Sequence, residues 1–270
     1  MSVTGEGKVY LVGGGPGDPE LLTRKAYRVL GEADALVYDR LVSQDIVDIA
    51  PPGCTRIFVG KAAGNHTMPQ EDINELLVKL ARTNRTVVRL KGGDPYIFGR
   101  GSEEALHLSQ NSVAFEIIPG ITAAAGISAA TGIPLTHRAL ASGVKFVTGH
   151  GRGDVDLDLD WKSLADPQTT IVIYMGLGKL ETLSGELIRA GLSPDTPAAA
   201  IANGTMANQR QCIATLGDLP EAVKQIDLQP PVLCLIGQVV SLAQQLNWQG
   251  LSYESPDQEE PQIRGVQARA

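Results

Sequence analysis

The chain has 270 residues, 43% of them hydrophobic and 20% charged, with a formal net charge of −7. That is ample apolar content for one large or two modest domains. The acidic balance argues against broad binding to nucleic acid or anionic membrane, while leaving room for a local basic pocket.

In chain order, residues 8–12 form a short apolar run that predicts a buried strand, followed by the loop Gly13-Gly14-Gly15-Pro16-Gly17. Asp18-Pro19 matches an N-cap with proline at the first helical position. Leu22, Ala26, Val29, Leu30 and Ala33 then recur at helical spacing as the buried stripe. A second strand over 35–38 delivers Asp39 and Arg40 at its C-terminal end. Strand 56–59, a loop over 60–69 and a helix over 70–82 follow. Strand 86–90 runs into a loop that combines four glycines with charge, Lys91-Gly92-Gly93-Asp94-Pro95-Tyr96-Ile97-Phe98-Gly99-Arg100-Gly101, before a helix over 102–110. Glycine costs backbone entropy, so such a cluster points to tight turns or to a ligand lying against the main chain rather than to packing. Strand 113–118 ends at Pro119-Gly120, ahead of a small-residue helix over 122–130.

A strand over 143–148 and a Gly- and Asp-rich linker over 149–160 lead into a second alternating set. It comprises strand 170–174, helix 180–190, strands 198–202 and 209–215, helix 219–226, strand 232–236 and helix 239–246. Alternating strands and helices predict α/β architecture with mostly parallel sheets covered on both faces. The expected division is an N-terminal α/β domain over 1–142, a C-terminal α/β domain over 143–253, and a polar tail over 254–270 that is disordered. Ligands of open α/β sheets sit beyond the carboxyl ends of strands, so function is expected in the loops after each strand.

Common nucleotide and catalytic motifs fail here. Gly13-x-Gly15 would need glycine where Asp18 stands, and Pro16 interrupts the turn. Neither Gly60-Lys61 nor Gly178-Lys179 has the spacing of a P-loop, and no Gly-x-Ser-x-Gly elbow occurs. His66, His107, His137 and His150 show no pairing at metal-ligand spacing, so no metal site is expected. Cys54, Cys212 and Cys234 are far apart and give no disulfide framework, which makes a reducing cytoplasm the expected compartment. Met1 to Lys8 lacks the apolar core of a secretory signal, and no run of about 18 apolar residues predicts a membrane span.

Taken together, the loops resemble those of the tetrapyrrole methylases, a family that uses S-adenosylmethionine, and within it the uroporphyrinogen-III C-methyltransferases. The matching segments are VYLVGGGPGDPELL (9–22), YDRLVS (38–43), VGKAA (59–63), RLKGGDPYIFGRGSEE (89–104), PGITA (119–123), GIPLTHR (132–138), IYMG (173–176) and ANGT (202–205). They stand in family order over about residues 8–240. The resemblance implies two α/β domains with the active cleft between them, and double C-methylation of uroporphyrinogen III to precorrin-2.

By the same resemblance, the cofactor contacts are Pro16, Gly92, Gly93, Asp94, Ile97, Thr122, Ala123, Met175 and Gly204. Arginine forks suit a substrate bearing many carboxylates, and Arg40, Arg89, Arg100 and Arg138 fall around the implied cleft. Asp39 is implied as acceptor of the proton that leaves the macrocycle, and Lys61 as proton donor or carboxylate partner. Glu103 either orients Arg100, one helical turn away, or meets the pyrrole N–H groups. A homodimer is implied, with no nucleic-acid or membrane partner. The alternatives are a methylase of a later corrinoid precursor, a ribosomal-RNA methylase disfavoured by the acidic charge, and a noncatalytic nucleotide-binding module with no need of the acid, base and arginine positions. A fused precorrin-2 dehydrogenase or ferrochelatase activity is not expected in these residues.

Overall fold

The computed structural model describes residues 7–60, 68–151 and 157–254 of the chain. Its first half runs β1 (Lys8–Gly13), α1 (Arg24–Gly31), β2 (Ala35–Tyr38), α2 (Gln44–Val47), β3 (Thr55–Phe58), α3 (Gln70–Thr83), β4 (Thr86–Lys91), α4 (Gly101–Gln110) and β5 (Ala114–Ile118). The sheet order is β3-β2-β4-β1-β5, and every neighbouring pair is parallel. Strands β1 and β2 are largely apolar and β4 is buried along nearly its whole length, because helices cover both faces. Val12, Leu36, Val88 and Leu90 pack with α1 and α2 on one side. Leu11, Val37 and Val87 pack with α3 and α4 on the other.

The second half runs α5 (Ala123–Thr131), β6 (Gly143–Thr148), α6 (Trp161–Leu164), β7 (Thr169–Tyr174), α7 (Leu180–Arg189), β8 (Pro197–Ala202), β9 (Arg210–Thr215), α8 (Leu219–Gln225) and β10 (Val232–Ile236). Its sheet order is β6-β7-β10-β8-β9. The α/β class is as expected, but the mostly parallel arrangement holds only in the first sheet. In the second, β6–β7 is parallel while β7–β10, β10–β8 and β8–β9 are antiparallel. The short loop between β8 and β9 has no room for the crossover that a parallel pair requires, and β10 inserts between β7 and β8. Side chains alternate cleanly along this sheet. Ala198, Ala200 and Ala202 face α7 and α8, whereas Ala199 and Ile201 face α5.

Two helices differ from expectation. Asp18 does cap, accepting from Glu20 N at 2.9 Å, but it opens only a single 3-10 turn, Pro19–Leu21. The helix restarts at Arg24 because Thr23 is extended and its Oγ1 accepts from Ala26 N at 3.2 Å; Ala26, Val29 and Leu30 form the buried stripe. The final helix is a 3-10 stretch, Gln238–Leu242. Its β-branched Val239-Val240 pair, two residues after Gly237, favours the α-helix poorly.

Helix α5 ties the two halves together. Ala124 and Ile127 join the core of the second sheet, while Gly126 lies against the loop after β1, where an added Cβ would stand 2.5 Å from Pro16 Cγ. Only small residues allow such an approach. The three cysteines are buried and free, and burial pushes the Cys234 thiol up to about 12 and Cys212 to about 11, which keeps them protonated and unreactive. Among the described residues no helix is long and apolar enough to cross a membrane. Glu254, where the expected tail begins, pairs with Arg210, Oε1 accepting from Nε at 2.8 Å; residues 255–270 lie outside the described set.

Candidate active site

The strands of the parallel sheet deliver their following loops to one edge, where the loops after the adjacent β1 and β4 meet in an antiparallel bridge. Gly15 and Gly93 exchange both backbone hydrogen bonds, at 3.1 and 2.6 Å. Gly93 sits at φ +67°, a left-handed conformation natural to glycine. Asp94 then closes the loop from two sides. Its Oδ1 accepts from Tyr96 N at 2.8 Å, and its Oδ2 accepts from Gly120 N at 3.1 Å, joining the loops after β4 and β5. The other glycines of this loop do have packing reasons, contrary to expectation. An added Cβ on Gly92 would meet Leu41 Cβ at 2.8 Å, and on Gly101 Pro95 O at 2.5 Å.

Loops from the second sheet meet this edge. Tyr174, the last residue of β7, has its hydroxyl 2.6 Å from Thr122 Oγ1 and accepts from Ala124 N at 3.1 Å. Its ring packs on Phe98, centroids 4.9 Å apart, and on Phe146 at 5.9 Å. Burial pushes the Tyr174 phenol above its usual range, so it stays a neutral hydrogen-bonding group. Farther along, Thr205 Oγ1 accepts from Asp18 N at 3.2 Å, and Ser43 Oγ donates to Gly17 O at 2.9 Å. The loops after β1, β2, β4, β5, β7 and β8 thus form one connected rim.

The nine expected cofactor residues, Pro16, Gly92, Gly93, Asp94, Ile97, Thr122, Ala123, Met175 and Gly204, fall in these loops or at their edges. Met175 is 53% exposed at φ +55°, so it is a rim residue and not a core one. Gly204 is buried against α5, where an added Cβ would reach Ile127 Cγ1 at 2.1 Å, which gives it a packing role too. Phe98, Tyr174 and Met206 were missed from sequence. Phe98 stood inside the glycine-rich loop and Tyr174 beside Met175, yet single aromatics carry no spacing signal. Met206 Cγ would lie 2.7 Å from a Cβ on Gly17.

The charged candidates separate into two groups. Arg100, at φ +57° on the lip of α4, is gripped side-on by Glu103, Nε to Oε1 at 2.8 Å and Nη2 to Oε2 at 2.7 Å. Both side chains are about half exposed, and Glu103 strengthens the hold of Arg100 on its proton. Arg40 and Arg138 are exposed and make no ion pair among the described residues. Arg89 departs from expectation. It is 3% exposed, lying on the α3–α4 face with its donors spent on Glu104, Leu90 O and Asp39. It is not an open carboxylate fork, because β4 alternation turns it inward. Asp39 is half-buried at the end of β2, Oδ1 accepting from Leu41 N at 3.0 Å and Oδ2 from Arg89 Nη2 at 3.3 Å. Lys61 lies outside the described residues.

Residues 8–220 match the family model described as Tetrapyrrole (Corrin/Porphyrin) Methylases. A protein named siroheme synthase from Nitrosomonas europaea is 53% identical over 242 residues, covering 90% of this chain and 51% of its own length. The chain thus spans about half the length of the curated relatives it matches. A crystal structure of uroporphyrin III C-methyl transferase from Thermus thermophilus superposes with TM-score 0.75 at 41% identity, covering 87% of this chain and all of that one. A second crystal structure from Thermus thermophilus, the enzyme complexed with S-adenyl homocysteine, gives TM-score 0.75 at 40% identity, over 87% of this chain and 94% of that one.

Proposed function

This chain belongs to the tetrapyrrole (corrin/porphyrin) methylases, and from that premise we propose that it transfers two methyl groups from S-adenosylmethionine to carbons of uroporphyrinogen III, giving precorrin-2 for siroheme- or cobalamin-type biosynthesis. The observation that carries the reading is the joined rim, where glycine turns of the parallel sheet stand opposite Tyr174 and Met175 of the second sheet. Such a rim fits a ligand with both polar and apolar parts. A Cβ at Gly93 would lie no nearer than 3.7 Å to other atoms, so there is room beside the main chain at that turn.

S-adenosylmethionine, when bound, supplies a methyl group already activated on a sulfonium. What remains for the protein is alignment, worth up to about 7–11 kcal/mol in favourable cases. Pro16, Gly92, Gly93, Asp94, Ile97, Thr122, Ala123, Met175 and Gly204 would hold the donor, with Met175 and Ile97 as apolar walls beside a charge that disperses during transfer. Arg100, Arg40 and Arg138 would anchor substrate carboxylates; Glu103 keeps the Arg100 fork in one orientation through its Nε and Nη2. Asp39 would take the proton released after carbon methylation, and Lys61 would serve as proton donor or carboxylate partner. We further propose the division into units 1–142 and 143–253 with a tail over 254–270, and a cytoplasmic homodimer that binds neither nucleic acid nor membrane.

Three experiments test this. Anaerobic incubation of the chain with uroporphyrinogen III and S-adenosylmethionine should yield a product heavier by two methyl groups; an unchanged mass would overturn the proposal. Arg100→Ala should raise the tetrapyrrole KM about 10–100-fold, the loss of one charge-assisted contact of about 1.5–3 kcal/mol, with cofactor affinity unchanged in calorimetry. Loss of cofactor binding alone would contradict its assignment. Met175→Asp should weaken S-adenosylhomocysteine binding at least about tenfold without unfolding, since aspartate tolerates the left-handed backbone of this exposed position. Equal affinity in a titration would remove Met175 from the site.

A further inference from the structure

Beneath the rim, β4 carries two cations into the interior. Arg89 and Lys91 alternate with Val88 and Leu90 and so face α3 and α4, each only 3% exposed. Glu104 of α4 meets them with a side chain that is 0% exposed. Its Oε1 accepts from Arg89 Nε at 3.1 Å, from Lys91 Nζ at 2.8 Å and from Gln70 Nε2 of α3 at 3.2 Å. Its Oε2 makes no hydrogen bond among the described residues. Apolar side chains of similar volume often serve a core as well as or better than buried ions do, so sheet packing gives no reason for this cluster. Burial and the neighbouring Arg89 charge pull Lys91 below the usual lysine range, with Glu104 opposing them. The arrangement is expensive, and an incompletely bonded carboxylate does not recover that cost through stability.

The network does not stop at Glu104. Arg89 is fixed at all three of its nitrogens: Nε by Glu104, Nη1 by Leu90 O at 3.0 Å, and Nη2 by Asp39 Oδ2 at 3.3 Å. Asp39 is therefore tied to α4 through one guanidinium, although no direct contact joins Asp39 to Glu104. We propose that Glu104 is a positioning residue for methyl transfer, setting the orientation of the Asp39 carboxylate through Arg89. Lys91 gives the buried Glu104 carboxylate a second cationic partner, Nζ donating to Oε1 at 2.8 Å. This rests on the reading of Asp39 as proton acceptor. A displaced carboxylate at the reacting centre costs rate and not ligand affinity, and a misplacement of about 1 Å can cost about 10²-fold.

Two measurements on the full chain test it. Glu104→Gln should lower kcat for methyl transfer to uroporphyrinogen III about 10–100-fold, while the tetrapyrrole KM and the S-adenosylhomocysteine affinity stay within about twofold of wild type. An unchanged kcat, or parallel loss of both affinities, overturns the proposal. The second measurement needs no turnover: a double-mutant cycle of Glu104→Gln with Asp39→Asn in denaturant unfolding, repeated with Arg89→Met. Coupling in the wild-type background and additivity in the Arg89→Met background support the relay through Arg89; additivity in both overturns it. A wild-type chain inactive on uroporphyrinogen III would sink the proposed reaction, and the cycle would still decide whether Glu104 and Asp39 are linked. Should Glu104→Gln fail to fold, Lys91→Met with Glu104→Gln removes the buried pair together and must give the same kcat loss and the same coupling.

Discussion

Asp39→Asn is expected to lower turnover by about 10²–10⁴-fold while S-adenosylhomocysteine affinity stays near wild type. Asp39 closes a strand whose register is fixed on both sides, Tyr38 standing opposite Phe58 and Leu90. Its backbone position is therefore set by the sheet and not by its own charge. Asparagine keeps the side-chain length and the oxygen that accepts from Leu41 N, but it loses the basicity that a proton acceptor requires. Single-turnover methyl transfer read by product mass would measure the effect. A rate within about tenfold of wild type would show that proton acceptance at Asp39 is not needed.

Gly120→Ala is expected to reduce both stability and cofactor affinity, because one added methyl group strikes backbone on two strands. Its Cβ would lie 2.2 Å from Gly93 O and 2.8 Å from Gly13 Cα. Neither neighbour is a flexible side chain, so the ends of β1, β4 and β5 must part. Overpacking of this kind typically costs about 1–3 kcal/mol, enough to lower the melting midpoint by several degrees. The displacement reaches the rim directly, since Gly120 N donates to Asp94 Oδ2 and Gly93 exchanges hydrogen bonds with Gly15. Cofactor affinity should therefore fall at least about tenfold. Calorimetry and thermal denaturation on the same sample would check both effects; a variant with wild-type affinity would show that the Gly13–Gly93–Gly120 junction does not shape the cofactor site.

The parallel half of the fold was legible because β1 and β2 are largely apolar on both faces and its strands end in loops rich in glycine, aspartate and proline. Strand direction in the second half was not legible. An apolar run such as Val232–Ile236 has the same pattern whichever way it runs, and only the chain path shows β10 entering between β7 and β8. Rim membership of Gly93, Asp94, Thr122 and Met175 followed from loop positions, which depend on strand order alone. The burial of Arg89 follows from the central place of β4 in a sheet covered on both faces, where residues of either parity, Val87 and Val88 alike, are buried. An arginine in a strand invites an exposed reading, because burying it needs partners distant in sequence, here Glu104 and Asp39. Phe98 and Tyr174 could not be paired from sequence, as their contact spans the two sheets.

The central claim is that turns of the first sheet and the ends of β7 and β8 build a single cavity that grips the methyl donor. Calorimetric titration of S-adenosylhomocysteine into the wild-type chain tests it most directly. Saturable heat with one molecule bound per chain, weakened at least about tenfold in both Met175→Asp and Gly120→Ala, is the predicted result. No heat of binding to the folded wild-type chain, or binding indifferent to changes on both sheets, would contradict it.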